Sequence, residues 1–121
     1  MINKNILKQA EKSGLKEEEL YESYKIFFGT LVSEPRLRIL NSLKKGEKNV
    51  SQLIEELGMD QTAVSHNLAR LRNCGFITLE KKGKYHYYKL NEKTIKPLME
   101  LIEKHMSGHC VHIYRKMKNG K

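Results

Sequence analysis

The sequence predicts a mainly helical domain that carries one small β-hairpin. Apolar residues recur at helical spacing in several separate segments, and two segments rich in β-branched and aromatic residues flank Gly83. The length of 121 residues suits a single domain with a small core. A composition of 39% hydrophobic and 31% charged residues is ordinary for a water-soluble protein.

Composition and motifs also exclude several classes of protein. No apolar run approaches the roughly 20 residues of a membrane span, and the first residues lack a signal peptide's apolar region, so we expect a cytoplasmic protein with no membrane partner. Two cysteines, Cys74 and Cys110, are too few for a disulfide framework. An enzyme is not predicted, because the chain has no phosphate loop or nucleophile-base motif. His105 and His109 have the HExxH spacing, but Met106 replaces its catalytic Glu.

Positive charge is concentrated in the second half of the chain. Residues 60–121 hold 13 Lys and Arg against 5 Asp and Glu, and so carry nearly all of the net charge of +9. Charge kept only for solubility would explain the total but not its placement. The distribution therefore favours a polyanionic partner.

The chain begins with a predicted arm followed by two helices. Residues 1–15 have a weak helical pattern that ends at Gly14, and we treat them as an N-terminal arm of uncertain order. Residues 17–32 begin with acidic residues, which favour a helix N-terminus, and continue with a broad apolar stripe that includes three aromatics. This stripe is either core or a dimer surface. Pro35 starts the next helix, whose leucine stripe ends by Gly46.

Two short helices joined by a tight turn come next. Asn49 can cap the first helix and Gly58 can end it, while Asp60 can cap the second, which covers residues 60–74. Because Met59 alone separates Gly58 from Asp60, the two helices are predicted to form a helix-turn-helix.

The side of residues 60–74 opposite the apolar stripe is made of hydrogen-bonding side chains with a single fixed charge. Such donors and acceptors suit base edges and phosphates, whereas a merely solvated surface more often carries Glu and Lys. We therefore predict that this helix reads DNA. Its candidate contact residues are Gln61, Thr62, Ser65, His66, Asn67 and Arg70.

After Gly75 the hydrophobic period changes to that of strands. Residues 76–82 and 84–90 form a predicted hairpin about Gly83. The tip of the hairpin carries Lys81, Lys82 and Lys84. A cationic hairpin directly after a reading helix predicts a wing that contacts phosphate or the minor groove, with a solvated hairpin tip as the alternative. The predicted fold is therefore a winged helix-turn-helix.

The last predicted helix runs from about residue 94 to at least Met106, with Pro97 in its first turn. A domain this small has little left to cover the wide apolar face of that helix. We therefore expect a homodimer in which the first and last helices, residues 17–32 and 94–106, pack across a two-fold axis.

Together these segments resemble the ArsR/SmtB family of metal-responsive bacterial and archaeal repressors. The resemblance spans residues 20–105. Its motifs are PRLRIL (35–40), VSQL (50–53), VSHNL (64–68), LRNCGFI (71–77) and GKYHYYKL (83–90). The resemblance implies a homodimeric winged-helix repressor that binds a double-stranded DNA operator and releases it when an inducer, often a metal ion, binds. It also implies dimerisation through the first and last helices.

The metal sites that the resemblance implies carry over incompletely. One family site uses a Cys-x-Cys pair in the helix before the reading helix, and residues 50–57 contain no cysteine. The other site uses the last helix of both partners, and its four positions fall on Glu92, Thr94, His105 and Gly108. Only Glu92 and His105 among these could readily coordinate a metal.

A different group of candidate metal ligands lies near the end of the chain. Its members are His105, His109, Cys110 and His112. If the helix continues through Gly108, the three imidazoles share one stripe beside a thiolate and suit Zn(II), Ni(II), Co(II) or Cu, with Glu92 supplied by a partner. If Gly108 ends the helix, the histidines belong to an exposed polar tail without a regulatory role. For Cys74 we expect a small buried thiol.

The sequence thus predicts an arm at 1–15, a winged helix-turn-helix domain at 16–106, and a basic His/Cys-containing tail or helix extension at 107–121. The predicted function is sequence-specific transcriptional repression, with a metal ion as a candidate inducer. Two alternatives stay open. One is a winged helix used for protein-protein contact, and the other is a repressor that responds to a non-metal signal.

Overall fold

The computed structural model describes residues 2–120, so that Met1 and Lys121, the ends of the predicted arm and tail, lie outside the described residues. The described residues form seven helices and one hairpin. The elements are α1 Lys4–Lys12, α2 Glu17–Leu31, α3 Glu34–Leu43, α4 Val50–Leu57, α5 Gln61–Asn73, β1 Ile77–Lys82, β2 Tyr85–Leu90, α6 Ile95–Gly108 and α7 Cys110–Asn119. The predicted class, mainly α with a small β-hairpin, is confirmed.

The core lies where α3, α4 and α5 meet the hairpin and α6. Its fully buried large apolar side chains are Ile39, Leu40, Leu53, Val64, Leu68, Leu71 and Phe76. Three of these residues belong to α5 and follow the spacing of one helix face. Because that face is buried, the opposite face of α5 lies toward solvent.

The turn between α4 and α5 follows the capping signals of the sequence. The side chain of Asn49 accepts from the backbone N of Gln52, and Gln52 Oε1 accepts from the backbone N of Asn49, both at 2.9 Å. Gly58 ends α4 with φ of +65°, a conformation that costs glycine little. Asp60 Oδ1 then accepts from the backbone N of Ala63 at 2.7 Å and caps α5. The predicted helix-turn-helix is present.

The hairpin is antiparallel, with Ile77 opposite Leu90 at its base and Gly83 in the turn at its tip. Ile77 and Leu90 are buried, whereas the tip is exposed. Lys48, which precedes α4, exchanges two backbone hydrogen bonds with Tyr88, at 3.0 and 2.8 Å. The hairpin is therefore held to the helix-turn-helix near its base and is exposed at its tip.

The apolar stripe of α2 is divided between two surfaces. Phe27 and Leu31 pack against the core, and Leu20 is buried against a second, smaller cluster. Tyr24, Phe28 and Val32 instead face solvent in the single chain, as does Tyr21. The sequence left core and dimer surface as alternatives for this stripe, and the structure assigns part of it to the core.

The N-terminal segment predicted as an arm forms α1 over most of its length. Ile2 and Ala10 are buried against Leu20 of α2. Ser13 and Gly14 then turn the chain toward the start of α2. None of the helices within residues 2–120 combines the length and apolar character that crossing a bilayer requires.

Candidate nucleic-acid interface

Four of the predicted contact residues form an exposed surface on α5. We call this surface the outer face of α5; its members are Gln61, Thr62, Ser65 and His66. The side-chain hydrogen bonds found on and beside this helix lie elsewhere, at Asp60, Asn67 and Arg70. The amide, hydroxyl and imidazole groups of the outer face are therefore directed to solvent, where a ligand can reach them.

The other two predicted contact residues, Asn67 and Arg70, are engaged inside the chain. Asn67 is half-buried, and its Nδ2 donates to the backbone O of Ala63 at 2.8 Å. Arg70 Nε donates to Thr30 Oγ1 at 3.2 Å, although the residue as a whole is exposed. Asn67 is thus placed to orient α5, while Arg70 as a residue remains exposed.

Arg36 links the end of α2 to the middle of α5. Its Nε donates to the backbone O of Thr30 at 2.7 Å, and its Nη2 donates to the backbone O of Gly29 at 3.3 Å. Its Nη1 donates to Asn67 Oδ1 at 3.4 Å. A cation at these carbonyl groups also interacts favourably with the C-terminal end of the α2 dipole.

Thr30 is the buried centre of this contact. Its side chain is inaccessible to solvent, and its hydroxyl donates to the backbone O of Ile26 at 2.9 Å while it accepts from Arg70. Cys74 Sγ lies 3.2 Å from the same hydroxyl. Cys74 is only half-buried, so it is less enclosed than the sequence predicted, because it caps the end of α5 at the surface.

Sequence reasoning missed Arg36 and Thr30. One signal for Arg36 was present: it is the third residue of α3, where a positive charge is unfavourable for the helix dipole and therefore suggests a specific partner. Thr30 gave no such signal, because a threonine near the end of an amphipathic helix is unremarkable in sequence.

The tip of the hairpin carries the predicted wing lysines, and they are not equivalent. Lys81, Lys82 and Lys84 are all exposed. Lys82 pairs with the Glu47 carboxylate and lies 5.7 Å from the ring centre of Tyr87. The hydrogen bond to Glu47 holds the pKa of the Lys82 ammonium above its usual value. Lys82 is therefore partly neutralised within the chain.

Lys84 borders a cleft of about 150 Å³ between the hairpin and the start of α4. The cleft is also lined by Ser51, Tyr85 and His86. In the residues that the structure describes, the ion pairs at the hairpin involve Lys82 and Lys89, whereas Lys81 and Lys84 take part in none. Lys81 and Lys84 are thus the tip lysines whose charges are not paired within the part of the chain that the structure describes.

A partly exposed ion pair fixes the base of the hairpin. Lys48 Nζ donates to Ser42 Oγ at 2.7 Å and pairs with the Glu56 carboxylate on α4. The hydrogen bonds from Lys48 and then Ser42 hold the pKa of Glu56 below its usual value of 4.5. Because Lys48 also pairs with β2 through its backbone, it sets the position of the hairpin relative to α3 and α4.

The candidate metal ligands near the C-terminus are only partly brought together. The helix does not continue as one stripe, because His109, with φ of −133° and ψ of −71°, separates α6 from α7. His105 and His109 nevertheless stack, with ring centres 4.4 Å apart. Cys110 and His112 follow in α7 and are exposed. Residues 2–120 of one copy contain no group of three or more His, Cys, Asp or Glu side chains arranged to hold a metal.

The arrangement of α4, α5 and the hairpin defines a winged helix-turn-helix domain, in which one helix is presented to a DNA groove beside a cationic hairpin. A similar fold is seen in the homodimeric winged helix-turn-helix DNA-binding domain Mb0332 from Mycobacterium bovis. The TM-score is 0.72, with 26% identity, over 82% of this chain and 94% of that chain.

The chain belongs to the arsR family of bacterial regulatory proteins, whose family model matches residues 33–78. It is 30% identical to the arsenical resistance operon repressor of Bacillus subtilis over 78% of this chain and 95% of that protein. It is also 37% identical to the HTH-type transcriptional regulator NmtR of Mycobacterium tuberculosis, but over only 58% of each chain. The match thus spans little more than half the length of NmtR. The family predicted from the motifs is confirmed.

Proposed function

We propose that the chain is a homodimeric transcriptional repressor that binds a double-stranded DNA operator in the cytosol through α5 and the hairpin. The observation that carries this proposal is the outer face of α5, where four polar side chains face solvent on a helix whose opposite side is buried in the core. Hydrogen-bonding groups on such a helix can read base edges in the major groove. Lys81 and Lys84 would add phosphate contacts that hold the helix in register.

The homodimer is supported by apolar surface that a monomer would leave in water. Tyr21, Tyr24 and Phe28 on α2 and Leu101 on α6 are about half exposed or more. An exposed aromatic cluster of this kind is typical of an interface. The related Mb0332 domain is itself homodimeric. We assign α2 and α6 to the two-fold interface, with residues 16–106 as the DNA-binding unit.

Gel-shift titration with genomic DNA fragments tests the reading helix. Replacing Ser65→Ala together with His66→Ala removes two outer-face groups without touching the core. We expect operator affinity to fall about tenfold or more, since one specific base contact contributes about 1–3 kcal/mol. Ser13→Ala, at an exposed serine that follows α1, serves as the control and should bind like the parent protein.

Unchanged affinity in the Ser65/His66 variant, with the dimer intact by size-exclusion chromatography, would contradict the assignment of α5. Failure of the parent protein to bind any DNA fragment would favour the alternative function, a winged helix that contacts other proteins.

We propose further that a transition metal ion, Zn(II), Ni(II), Co(II) or Cu, acts as the inducer at the C-terminal histidines. The stacked pair of His105 and His109 supports this, because two neighbouring imidazoles supply half of a tetrahedral site. Cys110 and His112 lie just beyond the pair and are exposed. A second copy could supply the missing ligands across the dimer axis, with Glu92 as a candidate.

Metal analysis of the purified dimer tests this part of the proposal. Stoichiometric metal should be lost when His105→Ala and His109→Ala are introduced, and retained in the control His86→Ala on the hairpin. The proposal also predicts that added metal releases the parent protein from DNA but does not release the His105/His109 variant. A dimer that binds DNA but neither holds metal nor responds to it would instead be a repressor with a non-metal signal.

A further inference from the structure

The C-terminal helix α7 has no buried side chain in a single copy of the chain. Its apolar residues are Val111, Ile113, Tyr114 and Met117, of which Tyr114 is 67% and Met117 66% exposed. At about 100° per residue these four residues and Cys110 fall on one side of the helix. A helix of ten residues is marginally stable alone in water, so this side needs a surface to pack on.

A surface of matching chemistry lies on α2. Tyr21, Tyr24 and Phe28 form a row along its exposed side, with ring centres 6.0 and 6.5 Å apart. Tyr21 is 52% and Phe28 56% exposed. The row is long enough to accept an apolar helix face.

The charges of the two helices are complementary. The acidic residues of α2, namely Glu17, Glu18, Glu19 and Glu22, all lie in its first six positions. The cationic residues of α7, namely Arg115, Lys116 and Lys118, lie in its second half, and α7 has no acidic residue. An antiparallel arrangement brings the acidic start of α2 against the basic end of α7. The helix dipoles also favour that direction.

The two-fold dimer of the proposed function brings such helices together. In that dimer α6 of one copy meets α2 of the other, and α7 follows α6 after the break at His109. The exposed surface of α6 offers the apolar residues Leu101 and Met106, but Lys104 and Ser107 on it are polar. It cannot by itself cover the aromatic row, whereas α7 supplies the apolar area that is missing.

We propose that α7 of each copy lies antiparallel on α2 of the other copy. Ile113, Tyr114 and Met117 then pack on the aromatic row, and Arg115 and Lys116 lie beside the glutamates. Because the contact is reciprocal, it closes the dimer and leaves no open surface for further copies. The proposal depends on the dimer of the proposed function and adds a second pair of contacts to it.

Disulfide trapping in the full-length chain tests this contact. Cys74→Ala removes the competing thiol, Lys25→Cys adds a thiol beside the aromatic row, and the native Cys110 at the start of α7 is kept. When the acidic start of α2 lies opposite the basic end of α7, position 25 of α2 lies near Cys110 of the other copy. Mild oxidation should give a covalent dimer, and peptide mass mapping should identify a link between Cys110 and the introduced thiol. Glu55→Cys, on the exposed side of α4, is the control and should give no such link.

A link within one copy would show that α7 folds onto its own α2 and would overturn the proposal. A link between the two Cys110 residues, or no link at all, would overturn it as well. If the unlinked variant remains a dimer that binds DNA, only the docking of α7 fails. If the variant is instead a monomer that binds no DNA, the proposed function fails as well as the docking of α7.

Charge reversal provides an independent measurement. Arg115→Glu with Lys116→Glu should weaken the dimer about tenfold in sedimentation equilibrium, because attraction becomes repulsion at the same contact. Adding Glu18→Lys and Glu22→Lys should restore the dimer. Restoration supports direct contact between α2 and α7, and its absence contradicts it.

Discussion

At the scale of single residues, Arg36 connects the two helices whose relative position matters most for a DNA-binding dimer. Its guanidinium contacts the last turn of α2, which bears the proposed dimer surface, and Asn67 on α5, which bears the outer face. Asn67 is therefore better explained as a residue that positions α5 than as one that reads bases. Its place in sequence, between His66 and Arg70, gave no indication of this difference.

Two arginines of α3 allow the role of Arg36 to be tested against a matched control. Arg36→Met removes hydrogen bonds to two backbone carbonyls and to Asn67, and we expect the free energy of unfolding to fall by about 1–3 kcal/mol. Arg38→Met removes only an exposed pair with Glu34 at 2.7 Å, which should cost less than about 0.5 kcal/mol. Urea denaturation measures both, and equal losses would contradict the assigned role.

Glu56 gives a prediction in pH. Its pairing with Lys48 lowers the pKa of the folded carboxyl below the usual 4.5. The pair therefore stabilises the protein above pH 4.5, and this stabilisation is lost as the pH falls through the folded pKa. Glu56→Gln should therefore destabilise the protein at about pH 7, by less than about 1 kcal/mol because the carboxylate is partly exposed. The difference should be smaller at about pH 3, because the carboxyl protonates as the pH falls through its folded pKa. A difference that is the same at both pH values in urea titrations would contradict the pairing.

At the scale of elements, the hairpin combines a fixed base with an exposed cationic tip. Lys48 holds β2 to the helix-turn-helix, and Glu47 partly neutralises Lys82. The three tip lysines look equivalent in the sequence, but in the structure Lys82 differs from Lys81 and Lys84 because it is paired with Glu47. Contact with phosphate should depend on Lys81 and Lys84 more than on Lys82.

The salt dependence of DNA binding checks this division. Lys81→Ala with Lys84→Ala should weaken binding to every DNA sequence and reduce the slope of log affinity against log salt by about 2, since about one counterion is released for each phosphate contact. Lys82→Ala should change the slope less, because Glu47 already balances its charge. Equal slopes for the double variant and the parent protein would contradict a wing that contacts phosphate.

Most elements could be predicted because their signals are local. Asn49 with Gln52 and Asp60 with Ala63 determine the starts of α4 and α5 through contacts three residues apart, and Gly58 ends α4. The change to strand periodicity after Gly75 located the hairpin in the same way.

Features that depend on distant contacts could not be predicted. The contact between Arg36 and Asn67 joins residues 31 positions apart, and that between Thr30 and Cys74 joins residues 44 positions apart. The hydrophobic periodicity of the sequence carries no information about such pairs. The sequence left Gly108 open as a helix end, but it did not predict the second helix, α7, because the residues after Gly108 were expected either to extend α6 or to form a polar tail.

At the scale of the whole molecule, the chain has separate surfaces for its two proposed partners, DNA and a second copy. The outer face of α5 and the tip of the hairpin carry polar and cationic groups suited to DNA, whereas α2, α6 and α7 carry exposed apolar side chains suited to a second copy. A two-fold dimer presents two reading helices to one side of a duplex. Contacts from α2 through Arg36 to α5 would then make the position of the reading helices depend on the dimer interface.

Footprinting of the dimer on a DNA fragment selected from genomic DNA tests this account most directly. Two α5 helices related by a two-fold axis should protect two inverted half-sites whose centres lie about 10 base pairs, or a multiple of that, apart on one face of the duplex. Protection of both half-sites should be lost together in the Ser65→Ala and His66→Ala variant. Uniform protection without sequence preference, or a single half-site bound by one copy, would contradict a dimer that reads its operator with α5.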